Sequence, residues 1–327
     1  MSRFSVIIVN FNGGAYVQGA LESLKAQTFR DFDVTLVDNA SSDGSVDDLD
    51  TQGLPAFRLL RQTENLGFAE GNNVGAAQTQ GAWVVLLNPD AEAAPDWLAQ
   101  IEAATQRHRD VAMFACAQFD LQDATRLDGV GDGYLVFGFP WRGGFGHPAT
   151  ALPQEGEVFG PCGASAVYRR DVWERQGGFD ERFFCFCEDV DLAFRLRLAG
   201  ERCVFLPDAV VHHAGGGLSG RASDFSVYHG ARNRVWTYAK NMPWPLLALT
   251  LPGHVLLNLY VLGHAALLGR FRPMLRGLLH GLAGVGRMGP RDPWPAPDRR
   301  VSLWQLMRAM AWNPWRMHAR KPHVRRV

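Results

Sequence analysis

The stretch SVIIVNFNGG, Ser5 to Gly14, decides the reading of the fold. Its apolar, β-branched first half suits a strand buried on both faces, and it breaks at once into Asn10, Phe11, Asn12, Gly13 and Gly14, which end a strand and open a loop. Outward from it, Val17, Leu21 and Leu24 recur at helical spacing. Phe32 to Val37 reads as a second strand closed by the turn-forming DNASSDGS. Phe57 to Leu60 and Trp83 to Leu87 read as two more, with the Gly/Asn-rich segment Asn65 to Gly75 and a short helix between them. Strands alternating with helices predict an α/β protein with a mostly parallel, Rossmann-like sheet and helices on both faces. Ligands of such sheets bind beyond the carboxyl ends of the strands, which is where the polar residues of this chain collect.

Four clusters at those ends carry candidate chemistry. DNASSDGS follows the second strand with carboxylates and hydroxyls able to hold a base and a ribose; Asn10, Asp38, Asp43, Asn65, Asn72 and Asn88 are the candidate nucleotide-binding positions. LLNPD delivers Asp90 past the end of an apolar strand, as a hard oxygen ligand for a divalent ion whose remaining positions suit phosphate oxygens. EDVDL opens a helix running to about Leu198, where an ionised carboxylate can take a proton from an attacking hydroxyl and the helix dipole favours its charge. Asp191 and Arg195, four apart, are expected to form a surface pair, leaving Glu188 and Asp189 as candidates for the base. VVHHAGGG sets His212 and His213 at a strand end before glycines; neutral imidazole is a good metal ligand, and glycines let phosphate approach the backbone.

Other chemistries lack their signatures. The first strand is followed by neither G-x-G-x-x-G nor a P-loop, and GASAV from Gly163 lacks the closing glycine of a hydrolase elbow. Cys116, Cys162, Cys185, Cys187 and Cys203 show no paired spacing, which predicts reduced thiols rather than disulfides or zinc. The apolar run Val6 to Val9 is too short for a signal-peptide core, so a cytosolic protein is expected.

The net charge is zero but unevenly spread: from Arg270 onward, 13 Lys and Arg stand against Asp292 and Asp298. An acidic body with a basic tail argues against nucleic acid and for an anionic membrane surface. No charged side chain occurs in residues 241–269, but Pro243, Pro245, Pro252, His254, Asn258 and His264 interrupt the run, which favours a pair of helices lying in the interface. Leu275, Leu278, Leu279 and Leu282 beside Arg270, Arg272, Arg276 and Arg287 continue an amphipathic pattern, and Trp294, Trp304, Trp312 and Trp315 are rings of the kind that settle at headgroup depth. Asp128 to Gly156, rich in glycine and carrying Tyr134, Phe137, Phe139, Trp141 and Phe145, reads as a long acceptor-facing loop.

Taken in order, SVIIVNFNG, DNASSDGS, ENLGFAEGNNVG, LLNPDAE, GGFDERFF, EDVDLAFRLRLAG and VVHHAGGG resemble the family 2 glycosyltransferases of the GT-A fold, close to bacterial rhamnosyltransferase-like members, over Ser5 to Tyr238. The resemblance implies an inverting transfer from a nucleotide-diphosphate sugar, with dTDP-rhamnose as first guess, to a hydroxyl of a lipid-linked or cell-envelope glycan, with Mg²⁺ or Mn²⁺ bridging the donor diphosphate. It assigns Asp38 to the nucleobase, Asp90 to the last acid of the metal-binding D-x-D, and Asp189 of the Glu188–Asp189 pair to the base. His212 matches the histidine that completes the metal site, with His213 as its substitute, and Asn88 stands where many members carry the first Asp of D-x-D. The chain is expected to divide into a catalytic domain, 1–238, and a helical, basic and aromatic membrane-associating region, 239–327, peripheral on the inner face of the cell membrane. The alternative is a catalytically silent nucleotide-sugar-binding or assembly module.

Overall fold

The computed structural model describes residues 2–215, 223–289 and 301–326; Gly216, Gly217, Asp292, Trp294 and Asp298 lie outside the described residues. Strands β1 (Phe4–Asn10), β2 (Phe32–Asp38), β3 (Phe57–Arg61) and β4 (Trp83–Leu87) run parallel in the order β4-β1-β2-β3, connected by helices α1 (Tyr16–Lys25) and α2 (Gly67–Ala77). Then come β5 (Ala91–Ala93), α3 (Trp97–Arg107), β6 (Met113–Asp120), β7 (Leu127–Gly129), β8 (Asp132–Leu135) and β9 (Phe139–Arg142). They are followed by β10 (Gly156–Val158), β11 (Ser165–Arg169), α4 (Arg170–Arg175), α5 (Glu188–Leu198) and β12 (Cys203–His213). Five helices close the described chain: α6 (Asp224–Asn241), α7 (Trp244–Leu267), α8 (Phe271–Gly284), α9 (Leu303–Ala309) and α10 (Pro314–His318). β11 is antiparallel to β4 and β6, β12 is parallel to β6, and the sheet reads β10-β12-β6-β11-β4-β1-β2-β3.

The two-residue period of β1 divides the core. Val6 and Ile8 face one layer with Val17, Leu21 and Leu24 of α1 and Trp97 and Ile101 of α3. Ile7 and Val9 face the other, with Ala69 and Ala76 of α2 and Leu192 and Phe194 of α5. Each buried Val, Leu, Ile or Phe among them contributes about 1.5–3 kcal/mol by leaving water. The Gly/Asn-rich segment is helix α2 because small residues let it lie directly on β1: a Cβ added at Gly75 would meet Ile7 Cγ2 at 2.6 Å.

Three expectations change. The segment from Asp128 to Gly156 is not a long loop: it holds β8 and β9 as a hairpin, and Tyr134, Phe139 and Trp141 are buried, with Tyr134 stacked on Phe159 at 4.9 Å, so these rings belong to the core and do not face an acceptor. Strands of three or four residues linked by left-handed glycines such as Gly131 and Gly138 leave no periodicity to read. Asp191 and Arg195 are not a surface pair. They lie buried 2.9 Å apart, and Asp191 also accepts from Lys240 Nζ at 2.9 Å and Asn241 Nδ2 at 2.7 Å, because α5 is covered on nearly every side. The uncharged run forms one helix, α7, that continues through Pro252, and the expected division at 238/239 falls inside α6.

Candidate active site

Register brings the ends of β1 and β2 together, with Asn10 opposite Asp38. Both are buried, and Asn10 Nδ2 donates to Asp38 Oδ1 at 3.3 Å, Ser41 Oγ at 3.0 Å and Ser45 Oγ at 2.9 Å. Asp43 Oδ2 accepts the Gly14 N–H at 2.8 Å, lacing the loop after β1 to the loop after β2, and hydrogen bonding from Ser45 holds its carboxyl below the usual range. Asn65 and Asn72 serve α2 instead: Asn65 Oδ1 accepts from Gly67 N at 2.9 Å, and Asn72 is buried and donates to Phe68 O at 2.8 Å.

Beyond β4, the chain turns so that β5 pairs with β12, setting Ala91 opposite His213, with Ala214 N donating to Asp90 O at 2.9 Å. His213 Nε2 then lies 3.2 Å from Asp90 Oδ1 and 3.2 Å from Asn88 Nδ2, while Nδ1 is 2.8 Å from Asp128 Oδ2. His212, one residue away on a strand, points to the opposite face and packs against the Phe119 ring at 6.0 Å. Of the tandem pair, His213 is the one that meets Asp90. Burial pulls its pKa down, but hydrogen bonds to Asp128 and Asp90 outweigh burial and set it above the ordinary histidine value. Asp90, His213 and Asp128 are all buried.

This group fits a divalent cation. Asp128 holds the Nδ1 side of the ring, so Nε2 is the nitrogen aimed at the Asp90 carboxylate, the arrangement by which a second carboxylate orients a metal-bound histidine. Asn88 Oδ1 is buried and has no hydrogen-bond partner among the described residues, and so supplies a further oxygen. Among the described residues no cluster of three or more His, Cys, Asp or Glu side chains is placed to hold a metal ion by itself.

The acid pair is set by strain. Phe184, Phe186 and Cys187 all have left-handed φ, near 64°, 71° and 65°, just ahead of α5. Asn233 of α6 pins this turn, its Nδ2 lying 2.9, 2.8 and 2.7 Å from the carbonyl oxygens of Phe183, Cys185 and Phe186. Asp189 Oδ2 accepts the Gly163 N–H at 2.7 Å and Oδ1 that of Val190 at 2.8 Å. The next residue, Ala164, accepts from Asn88 N at 3.0 Å, so a single turn joins the Asp189 carboxylate to the Asn88–Asp90 corner.

Three buried carboxyls interact here. Burial, followed by repulsion from Asp189, pushes Glu188 and Asp132 well above the usual range. Burial also raises Asp189, but the Gly163 and Val190 N–H groups and the Arg142 charge oppose it, so Asp189 is the member best held as an anion. Arg142 Nη1 also binds Asp128 Oδ2 at 2.6 Å, completing a chain from Arg142 through Asp128 and His213 to Asp90. Asp128, Asp132, Arg142, Gly163 and Asn233 are additions to the residues singled out in the sequence. A hollow of about 550 Å³ lined by His147, Trp315, Arg316 and Lys321, among others, shares no residue with this cluster; chemistry, not volume, marks the site.

Residues 5–177 match the sequence model of the family described as Glycosyl transferase family 2. An N-acetylglucosaminyl-diphospho-decaprenol L-rhamnosyltransferase of Mycobacterium tuberculosis is 30% identical over 249 residues, covering 68% of this chain and 80% of that protein. Rhamnosyltransferase WbbL of Escherichia coli is 27% identical over 171 residues, 45% of this chain and 61% of that one. Among solved structures, a mannosyltransferase from Pyrobaculum calidifontis in complex with GDP-Man and Mn²⁺ matches with a TM-score of 0.55 and 21% identity, over 97% of this chain and 84% of that one. The structural likeness shows a shared GT-A fold.

Proposed function

We propose that this chain, which belongs to glycosyl transferase family 2 and is a glycosyltransferase, moves rhamnose with inversion from dTDP-rhamnose to a hydroxyl of a lipid-linked cell-envelope glycan. The observation that carries this reading is the turn at Gly163 and Ala164, which ties the Asp189 carboxylate to the corner bearing Asn88 and Asp90. The Mycobacterium tuberculosis and Escherichia coli relatives support the rhamnosyl unit, and the Mycobacterium tuberculosis relative alone supports the lipid-linked acceptor.

Each part of the site then has a task. Asn10, Asp38 and Asp43 shape the nucleotide end of the cleft, where their mutual hydrogen bonds fix the loops after β1 and β2. Asp90 and His213, with Asn88 beside them, would hold Mg²⁺ or Mn²⁺, which when bound would supply positive charge toward the donor diphosphate. Asp189, whose anionic form two backbone N–H groups favour against burial, accepts the proton of the acceptor hydroxyl as that oxygen attacks the anomeric carbon from the face opposite the diphosphate. Glu188, whose pKa burial and then the neighbouring Asp189 push well above the usual carboxylate range, is the harder of the pair to ionise.

The C-terminal helices are assigned to an anionic membrane surface on the cytoplasmic side. In support, α7 turns Leu249, Leu256, Leu259 and Tyr260 outward, and Arg272 and Arg276 are exposed on the adjoining α8. Residues 1–238 are assigned the catalytic site and 239–327 the surface contact, with helix α6 spanning the division.

The test is transfer by the purified chain, with Mn²⁺, from dTDP-rhamnose to an N-acetylglucosaminyl diphosphate bearing an alkyl chain. Nuclear magnetic resonance of the product should find the anomeric configuration opposite to the donor's. Retained configuration would disprove the single displacement, and failure to use any donor in a nucleotide-sugar panel would disprove the reaction.

A further inference from the structure

Arg234 of α6 faces Cys187, the residue that precedes the acid pair, and its charge is felt by the Cys187 thiol. Its guanidinium lies 4.3 Å from the centre of the Phe139 ring, and Nη2 donates to Asn258 Oδ1 of α7 at 2.7 Å. Nε is buried without a hydrogen-bond partner, and no described carboxylate forms an ion pair with this arginine. The buried arginines of α5 are arranged differently: Arg195 holds Asp191 at 2.9 Å, and Arg197 holds Glu157. Arg234 is half-buried, and a cation partly withdrawn from water without a counter-ion is favourably placed to receive an anion that arrives from outside. Burial lowers its pKa to about 10, which leaves it charged at neutral pH.

The position narrows the anion. On one side stands α7, whose outer face is apolar and whose inner face carries Thr250, His254 and Asn258; on the other stands the start of α5 with the proposed base. In a lipid-linked sugar diphosphate, the phosphates lie between the hydrocarbon and the sugar hydroxyl that reacts. We propose that Arg234 is the subsite for the diphosphate of the acceptor, with the guanidinium anchored by Asn258 and Phe139 and its remaining donors directed to phosphate oxygens. Charge-assisted bonds of this kind contribute about 1.5–3 kcal/mol, which corresponds to about 10–100-fold in affinity. This inference rests on the lipid-linked acceptor of the preceding reading.

The experiment uses the full chain in detergent with dTDP-rhamnose and two acceptors: an N-acetylglucosaminyl diphosphate bearing a short alkyl chain, and the alkyl N-acetylglucosaminide without the diphosphate. Arg234→Gln should reduce the preference for the diphosphate acceptor, measured as the ratio of kcat/KM values, by about 10–100-fold, with the loss in acceptor KM and a donor KM changed less than about twofold. Arg234→Lys, which keeps the charge but not the planar fork, should recover part of that preference. An unchanged ratio with both activities equally reduced would make Arg234 structural and overturn the proposal. A raised donor KM would assign the arginine to the donor diphosphate, and lost binding to anionic vesicles would assign it to lipid headgroups; either result overturns it too. If the wild type uses the phosphate-free acceptor as well as the other, the acceptor class fails while transfer stands. If it uses neither, the reaction itself is wrong.

Discussion

Strand β1 and helix α7 are both apolar, yet they are folded inside out with respect to each other. All seven residues of β1 are buried, and its hydrophobic side chains fill both layers of the core. In α7, 24 residues long, only five are buried and three of those are Thr250, His254 and Asn258, whereas Leu256 is 66% exposed and Leu267 85%. Hydrophobic patterning reports which side of an element is apolar; it does not report which solvent that side will meet. The sheet has the protein interior as its apolar phase, whereas the outward leucines of α7 meet no apolar partner among the described residues, although its inner side packs through Leu246, Val261 and Ala265. The acids of the site lie in the first region, and the proposed phosphate anchor, Arg234, lies where the two regions touch.

The largest expected effect confines damage to the sheet region. Asp189→Asn should slow turnover by at least ~100-fold, as loss of a general base does, with unfolding temperature and vesicle binding unchanged. Near-normal turnover would remove Asp189 from the mechanism. The opposite damage comes from Leu256→Glu combined with Leu259→Glu, which should weaken binding to vesicles containing anionic lipid by about 10–100-fold, since burying a leucine contributes about 1.5–3 kcal/mol. Because both leucines already face outward, stability should move by less than about 0.5 kcal/mol each, against about 2–5 kcal/mol for Ile7→Ala in β1. Vesicle binding that survives the double substitution would return α7 to the role of an ordinary surface helix.

Within the site, the two histidines offer a finer separation. His213→Ala should raise the Mn²⁺ concentration for half-maximal turnover by at least about tenfold, and Asp128→Asn should act in the same direction through the ring it orients. His212→Ala, on the other face of β12, should change it by less than about twofold. Equal effects of the two histidine substitutions would contradict the placement of His213 beside Asp90.

That separation marks the limit of what the sequence reveals. The continuous apolar runs of β1 and β4, the polar clusters at their ends and the acid pair are all written in local composition, because strand ends and helix starts select residue types over a few positions. The choice between His212 and His213 is not local: one residue of register flips a side chain across the sheet, and the pairing of β12 with β5 decides it. Asp128 and Arg142 sit in short strands with glycine turns, and Asp128 meets His213 across 85 residues of sequence, so no window around any of them holds the relation. The same holds for Asp191, whose i,i+4 partner suggests a surface pair until Lys240 arrives from α6.

The smallest effect, and the most specific to the coupling between Asp189 and its surroundings, is on pH dependence. Asp189 must be ionised to accept a proton, so activity is lost as pH falls through its pKa. Burial sets that pKa above the ordinary aspartate value near ~3.9, so the acid limb of kcat/KM should also lie above it. Arg142 opposes the rise through its charge, and it does so from β9, inside the segment that carries no readable pattern. Arg142→Gln removes that charge while the Gly163 and Val190 N–H groups remain, so the acid limb should move further up; at a pH just above the wild-type limb the variant should be slow, and it should recover as pH rises. Arg142→Lys keeps the charge and should leave the limb close to its original place. A limb that stays fixed or moves down in Arg142→Gln would mean that the titrating group is not the carboxylate at the start of α5, and the link between the hairpin and the acid pair would lose its chemical content.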